Sequence, residues 1–207
     1  MSSQKSTAAV EPKRARGRAR VEAILVAASS VFAEQGYDRA TMTEIAARSS
    51  TAIGSLYRFF PTKDTLGEAL LQRFFELLEG AFDELAERAA DLSPRALSDA
   101  LVHAFRSSAS DDLRAGVAAV LEGRGDVDQL RRDFRARRRK QVARILRIAN
   151  AALEPADAQA RATVIFYLLK GEDSLAQEEP TASRRVAAEL RGLIAYYVAE
   201  AVRGPAP

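Results

Sequence analysis

An all-α fold is the expectation for this chain, and three observations predict it. Apolar residues recur at helical spacing, helix caps and stops punctuate the chain at helix-length intervals, and no segment alternates with period two between turn signals. The 207 residues, 47% hydrophobic and 29% charged, suffice for a core in one domain or in a small domain fused to a larger one. About nine helices are expected, three short ones in an N-terminal head and six in a C-terminal helical bundle. The expected divisions are a disordered basic arm over 1–16, a head over 17–62 and a body over 63–207.

Taken in order, the first helix starts near Val21, with Ile24, Leu25, Ala28, Val31 and Phe32 on one apolar face and Gly36 as its stop. Thr41 and Glu44 have capping-box spacing, so a short second helix begins there and ends at Ser49 and Ser50. A third runs from near Thr51 to Phe60, where Pro61 forbids continuation. Thr62 caps a long helix to about Asp91, with Leu66, Leu70, Phe74, Leu77, Leu78, Phe82 and Leu85 facing inward. Ser93-Pro94 opens the next, by N-cap followed by proline at the first helical position. A shorter helix runs from Asp111 and Asp112 to Gly123. A long basic one covers 126–153, Pro155 restarts the chain into 156–177, and Pro180-Thr181 begins the last.

The chain has no cysteine and a single histidine, His103, which removes disulfide scaffolds, zinc fingers, iron–sulfur clusters and cysteine nucleophiles. No HExxH, phosphate-binding glycine loop, GxSxG elbow or dinucleotide-binding loop is present. The expectation is a protein that is not an enzyme and that uses no cofactor and no metal. No apolar leader or spanning segment is seen, so the cytoplasm is the expected location. The N-terminal tail lacks the Trp, Phe or Leu needed to insert into a bilayer, so no membrane partner is expected.

A net charge of +3 conceals an asymmetry. Lys5, Lys13, Arg14, Arg16, Arg18 and Arg20 face only Glu11 in the first twenty residues, while the remainder is slightly acidic. A basic tail of this kind points to a polyanion contacted at one end, with nucleic acid first among candidates. If the tail is extended, Arg14, Arg16, Arg18 and Arg20 line one side and could enter a minor groove or follow a phosphate row; Arg18 and Arg20 could equally belong to the first helix.

The second and third helices, with the first as support, have helix-turn-helix spacing. Ala52, Gly54 and Ser55 are small enough to let the third helix approach base edges in a major groove about 12 Å wide. Leu56 and Phe60 would anchor that helix inward. Ser55, Tyr57 and Arg58 could bond bases or phosphates, Lys63 adds a cation at the next helix start, and Thr41, Thr51 and Ile53 complete the candidate contact set.

Residues 21–66 resemble the DNA-binding head of TetR-family transcriptional regulators. The resemblance rests on Phe32, Gly36-Tyr37, Thr41-Met42, Ile45-Ala46, Gly54-Ser55-Leu56-Tyr57, Phe59-Phe60-Pro61, Lys63 and Leu66, in one gapless register. Departures are Ala40 where the family often has Thr, Ser50 where the turn usually has Gly, Thr51 in place of an apolar residue, and Phe59 in place of His or Tyr. The resemblance implies a homodimer on a palindromic double-stranded operator, most often a repressor released by a small-molecule effector. The competing reading is a helix-turn-helix protein without an effector, controlled by a protein partner.

For the body, the resemblance implies that the last two helices pair across a two-fold axis; the apolar positions available for this are Val164, Leu168, Val186, Leu190, Leu193, Ile194 and Tyr197, with Tyr196 and Val198 widening the stripe. It also implies a ligand cavity among the middle helices, for which Leu78, Phe82, His103, Phe105, Val117, Leu121, Val142, Leu146 and Phe166 are wall candidates, though all could be solid core. The 126–153 helix carries nine cations, Arg131, Arg132, Arg135, Arg137, Arg138, Arg139, Lys140, Arg144 and Arg147. They surround the helix instead of forming a stripe, so solvation or pairing with acids on the long helix is expected over a second nucleic-acid patch.

Overall fold

The structure, a computed structural model, describes residues 10–107, 109–124, 128–175 and 180–203, with side chains described for all of these except 10–14, 107, 172–175 and 180–183. Among the described residues there are nine α-helices and no strand: α1 Val10–Gln35, α2 Met42–Arg48, α3 Ile53–Phe59, α4 Lys63–Arg88, α5 Pro94–Ser107, α6 Asp111–Gly123, α7 Asp128–Ala149, α8 Pro155–Leu175 and α9 Pro180–Arg203. A 3-10 turn over Ala89–Asp91 extends α4 to the residue at which the expected long helix ends.

Two compact units divide the chain. One comprises residues up to Phe74 together with Ser110–Asp126; the other comprises Phe75–Ala109 and the residues from Val127 on. The expected boundary at 62/63 is therefore displaced into α4, and α6 groups with the head, not the body. The cause is close helix packing within the first unit. A Cβ at Gly116 of α6 would stand 2.6 Å from both Cα and the carbonyl oxygen of Ser29 in α1, so only glycine permits that approach. Arg124, just past α6, adds bonds from Nη1 to the Asp64 carbonyl at 3.1 Å and from Nη2 to Glu68 Oε1 at 3.0 Å.

The extended arm is corrected over residues 10–16, which are helical; residues 1–9 lie outside the described residues. Arg and Ala are strong helix formers, and they dominate the segment from Arg14 to Arg20 enough to carry its two-residue alternation with a single Gly. A helix turns about 100° per residue, so positions two apart lie on nearly opposite faces and the four arginines do not form one comb.

The first unit buries Ile24, Ala28, Val31, Phe32, Ile45, Leu56, Leu66 and Leu70. Its α1 ends at Gly36, at φ +79°, whose N–H closes on the Phe32 carbonyl at 2.9 Å; that backbone conformation favours glycine. The second unit buries Leu78, Phe82, Leu85, Leu97, Leu101, Val142, Ile145, Leu146, Ile165 and Phe166. On α4 the buried aromatic is Phe75, whereas Phe74 and Leu77 are half-buried.

Candidate nucleic-acid interface

The geometry of the α2–turn–α3 segment follows from its caps. Thr41 stands extended before α2, and its hydroxyl accepts from the Glu44 N–H at 3.2 Å. At the other end Ser50 N–H reaches the Ala47 carbonyl at 3.1 Å, and Thr51 N–H reaches the Ala46 carbonyl at 2.9 Å. This bond pair is a Schellman closure, and it needs a left-handed residue where Ser50 sits, at φ +50°. Serine there costs on the order of 1 kcal/mol relative to glycine.

That closure also corrects a candidate contact. Thr51 is turned inward and buried, its hydroxyl donating to the Ser49 carbonyl at 3.3 Å, so it forms the turn and is not on the outer face. The outward face of α3 consists of Ala52, Ile53, Gly54, Tyr57 and Arg58, all exposed, while Leu56 and Phe60 are buried anchors. A Cβ on Gly54 would meet nothing within 4 Å, so the space in front of it is open. Ser55 is half-buried, and its Oγ is shielded without a hydrogen-bond partner.

Lys63 is the second correction. Its ammonium donates to three backbone carbonyls, Tyr37 at 2.7 Å, Asp38 at 3.0 Å and Ala40 at 3.2 Å, which occupies all three of its protons. It also lies 4.7 Å from the centre of the Tyr37 ring. Lys63 therefore fixes the α1–α2 loop against the start of α4 instead of presenting a free charge. Tyr37 serves the same joint, donating to Asp64 Oδ1 at 2.5 Å and packing on Phe32 with ring centres 5.2 Å apart.

Arg16, Arg18 and Arg20 are exposed on α1, and Thr41 is exposed at its cap; residue 14 is helical, with its side chain undescribed. Arg48 is committed elsewhere, forming a two-point pair with Glu34 whose second bond is 2.8 Å, and the Arg48 hydrogen bond holds the Glu34 carboxyl below its usual range. Exposed cations on α1 and an exposed face of small residues, Tyr57 and Arg58 on α3 are what a phosphate-lined groove requires.

In the second unit, the wall candidates Leu78, Phe82, Phe105, Val142, Leu146 and Phe166 are buried core, and Phe105 and Phe166 meet edge-on with centres 6.3 Å apart. Val117 and Leu121 belong to the other unit. None of these eight lines a described concavity. His103 is exposed and borders a surface groove of about 420 Å³ with Glu76, Gly80, Glu84, Arg88 and Ala100.

Of the expected pairing stripe, Val164, Val186 and Leu193 are exposed and Leu168, Leu190 and Tyr197 half-buried, while Ile194 and Val198 are buried in their own unit. Ile194 is thus core, because it points inward from α9. Tyr167 and Tyr196, 52% and 59% exposed, are the largest apolar groups on this face; Tyr167 was absent from the expected set, although it lies three residues after Val164 on the same helical side. On α7, Arg144 Nη1 pairs with Asp83 Oδ1 at 3.1 Å, as expected of acid pairing, but Arg138 is fully buried. Its signal in the sequence was register: Phe134, Arg138 and Val142 are four apart along the apolar stripe.

Among the described residues no helix is long and apolar enough to cross a membrane, and no group of three His, Asp or Glu residues could hold a metal ion. The architecture is that of an all-α protein with a three-helix helix-turn-helix segment. Residues 24–70 match the family described as bacterial regulatory proteins, tetR family. The match covers the helix-turn-helix segment and the start of α4, so the likeness to that family is one of the first unit. It is 36% identical over 69 residues to the HTH-type transcriptional repressor KstR of Mycolicibacterium smegmatis, covering 33% of this chain and 34% of that protein. It is 35% identical over 105 residues to the HTH-type transcriptional repressor Rv3405c of Mycobacterium tuberculosis, covering 48% and 56%. The matches thus span a third to a little over half of those relatives' lengths. Among solved structures, the SmeT–triclosan complex superposes at TM-score 0.66 with 21% identity, over 91% of this chain and 99% of that one. A γ-butyrolactone receptor (ArpA-like protein) superposes at 0.55 with 18% identity, over 87% and 98%. At such identities the likeness is one of fold.

Proposed function

We propose that this protein is a sequence-specific, double-stranded-DNA-binding regulator of transcription, a homodimeric repressor released from a palindromic operator by a small-molecule effector. The observation that carries the DNA-binding reading is the open, small-residue face of α3, with Tyr57 and Arg58 beside it. Two relatives described as transcriptional repressors support the sign of regulation. The exposed row of Val164, Tyr167, Val186, Leu193 and Tyr196 supports pairing of α8 and α9 with a second copy, since so many large apolar groups are unfavourable in water. Effector control is supported by the small molecules named for the fold relatives, triclosan and γ-butyrolactone.

The α3 face would read base edges through Ala52, Ile53, Gly54, Tyr57 and Arg58, with Arg16 and Arg18 adding phosphate contacts. Continuity of α4 through both units offers the route by which an effector held in the second unit changes the spacing of paired heads. Such an effector must bind the release-competent state more tightly, with coupling of about 1–3 kcal/mol. Selection of bound fragments from a random duplex pool tests the reading: a two-fold symmetric consensus is expected, and uniform weak binding to every duplex overturns it.

A further inference from the structure

The second unit contains a permanent cation in an apolar compartment. Arg138 on α7 is 1% exposed. Among the described residues its one hydrogen bond is from Nη2 to the Phe75 carbonyl at 3.3 Å, while Nε and Nη1 are buried with no acceptor there. The guanidinium carbon lies 5.2 Å from the Phe134 ring centre and 5.6 Å from that of Phe82. Phe134 in turn stacks on Phe75, centres 4.5 Å apart. One helical turn on, Gln141 Oε1 is also buried without a partner.

Burial pulls Arg138 down to about 10, which leaves it charged at neutral pH; Glu79 and Asp83 favour the charge, but neither bridges it, and Asp83 is engaged by Arg144. Aromatic faces stabilise a cation without satisfying its N–H donors. An uncompensated buried ion is among the most costly features a core can hold. An acidic group supplies both the charge and the acceptors that are lacking. Phe134 is half-buried and is the least enclosed of the three rings.

We propose that Arg138 forms the polar end of a binding site for a small organic carboxylic acid with an apolar body, beside the rings of Phe75, Phe82 and Phe134. One negative charge fits better than two, because Glu79 and Asp83 repel a dianion. The site's regulatory meaning rests on the effector reading above; binding itself does not.

The test uses the full chain at pH 7 with octanoate, 4-phenylbutyrate and 2-naphthoate, each compared by calorimetry with the alcohol of the same carbon skeleton. At least one acid is expected to bind at one site per chain, and its alcohol at least about tenfold more weakly, as loss of a charge-assisted bond implies. Arg138→Met is expected to erase that preference while its unliganded melting temperature holds or rises, since a buried unpaired charge is replaced by an apolar chain. Absence of an acid preference for all three pairs, or a preference that survives Arg138→Met, overturns the proposal. Operator release measured in parallel separates the two readings. Arg138-dependent acid binding without release keeps the site and removes the effector role, whereas release insensitive to Arg138 does the reverse.

Discussion

The two units of this chain expose opposite kinds of surface. In the first, the outward face of α3 is Ala52, Ile53, Gly54, Tyr57 and Arg58, with Ile53 its one large exposed aliphatic group, while Leu56 and Phe60 turn inward. In the second, α8 and α9 leave Tyr167, Leu193 and Tyr196 in solvent. Polar groups are treated differently as well. Lys63, Thr41 and Tyr37 in the first unit satisfy named partners, whereas Arg138 in the second keeps buried donors without acceptors. The contrast accords with the proposed roles: small and cationic suits a phosphate-lined groove, large and apolar suits another protein surface.

The sharpest way to break that contrast is to give the α3 face a bulky apolar side chain. Gly54→Leu meets open space, so melting temperature should hold, while operator affinity falls to the non-specific level, roughly 10³-fold or more in a gel-shift titration. Next in size is the reverse change on the second unit. Leu193→Asp with Tyr196→Asp should leave the fold intact and shift sedimentation to the monomer. Operator affinity then drops by about 10²–10⁴, because the two heads no longer bind as one.

Smaller effects probe how the first unit is held. Gly116→Ala forces a Cβ against the Ser29 backbone and should destabilise by about 1–3 kcal/mol in urea, with α1 and α6 moving apart. Ser50→Gly should act in the opposite direction, stabilising by about 0.5–1 kcal/mol through relief of the left-handed turn. A Ser50→Gly protein no more stable than the parent would mean that the turn strain is met elsewhere in the loop. The Glu34–Arg48 pair should matter least: its carboxyl is held low, so its contribution is present above the ordinary glutamate range and fades as pH falls through it, visible as a small loss in acid melts.

Much of this was legible from residue order because local chemistry dictates it. The N-cap at Thr41, the stop at Gly36, the turn at Ser50 and the proline starts of α5, α8 and α9 each act within a few residues, and each is where the sequence placed it. The Glu44 carboxylate accepts from Gln35, so the capping-box spacing yields the Thr41 cap alone among the described bonds. The anchors Leu56 and Phe60 followed from helical spacing for the same reason. Tertiary packing decided what no local rule contains. Gly116 joined α6 to the first unit through a contact with Ser29 some ninety positions away. Lys63 was drawn inward by carbonyls that only folding brings near, and Arg138 was enclosed by rings from α4 and α7. Dihedral preferences and caps are properties of short segments, whereas burial and the pairing of polar groups depend on which distant segments meet.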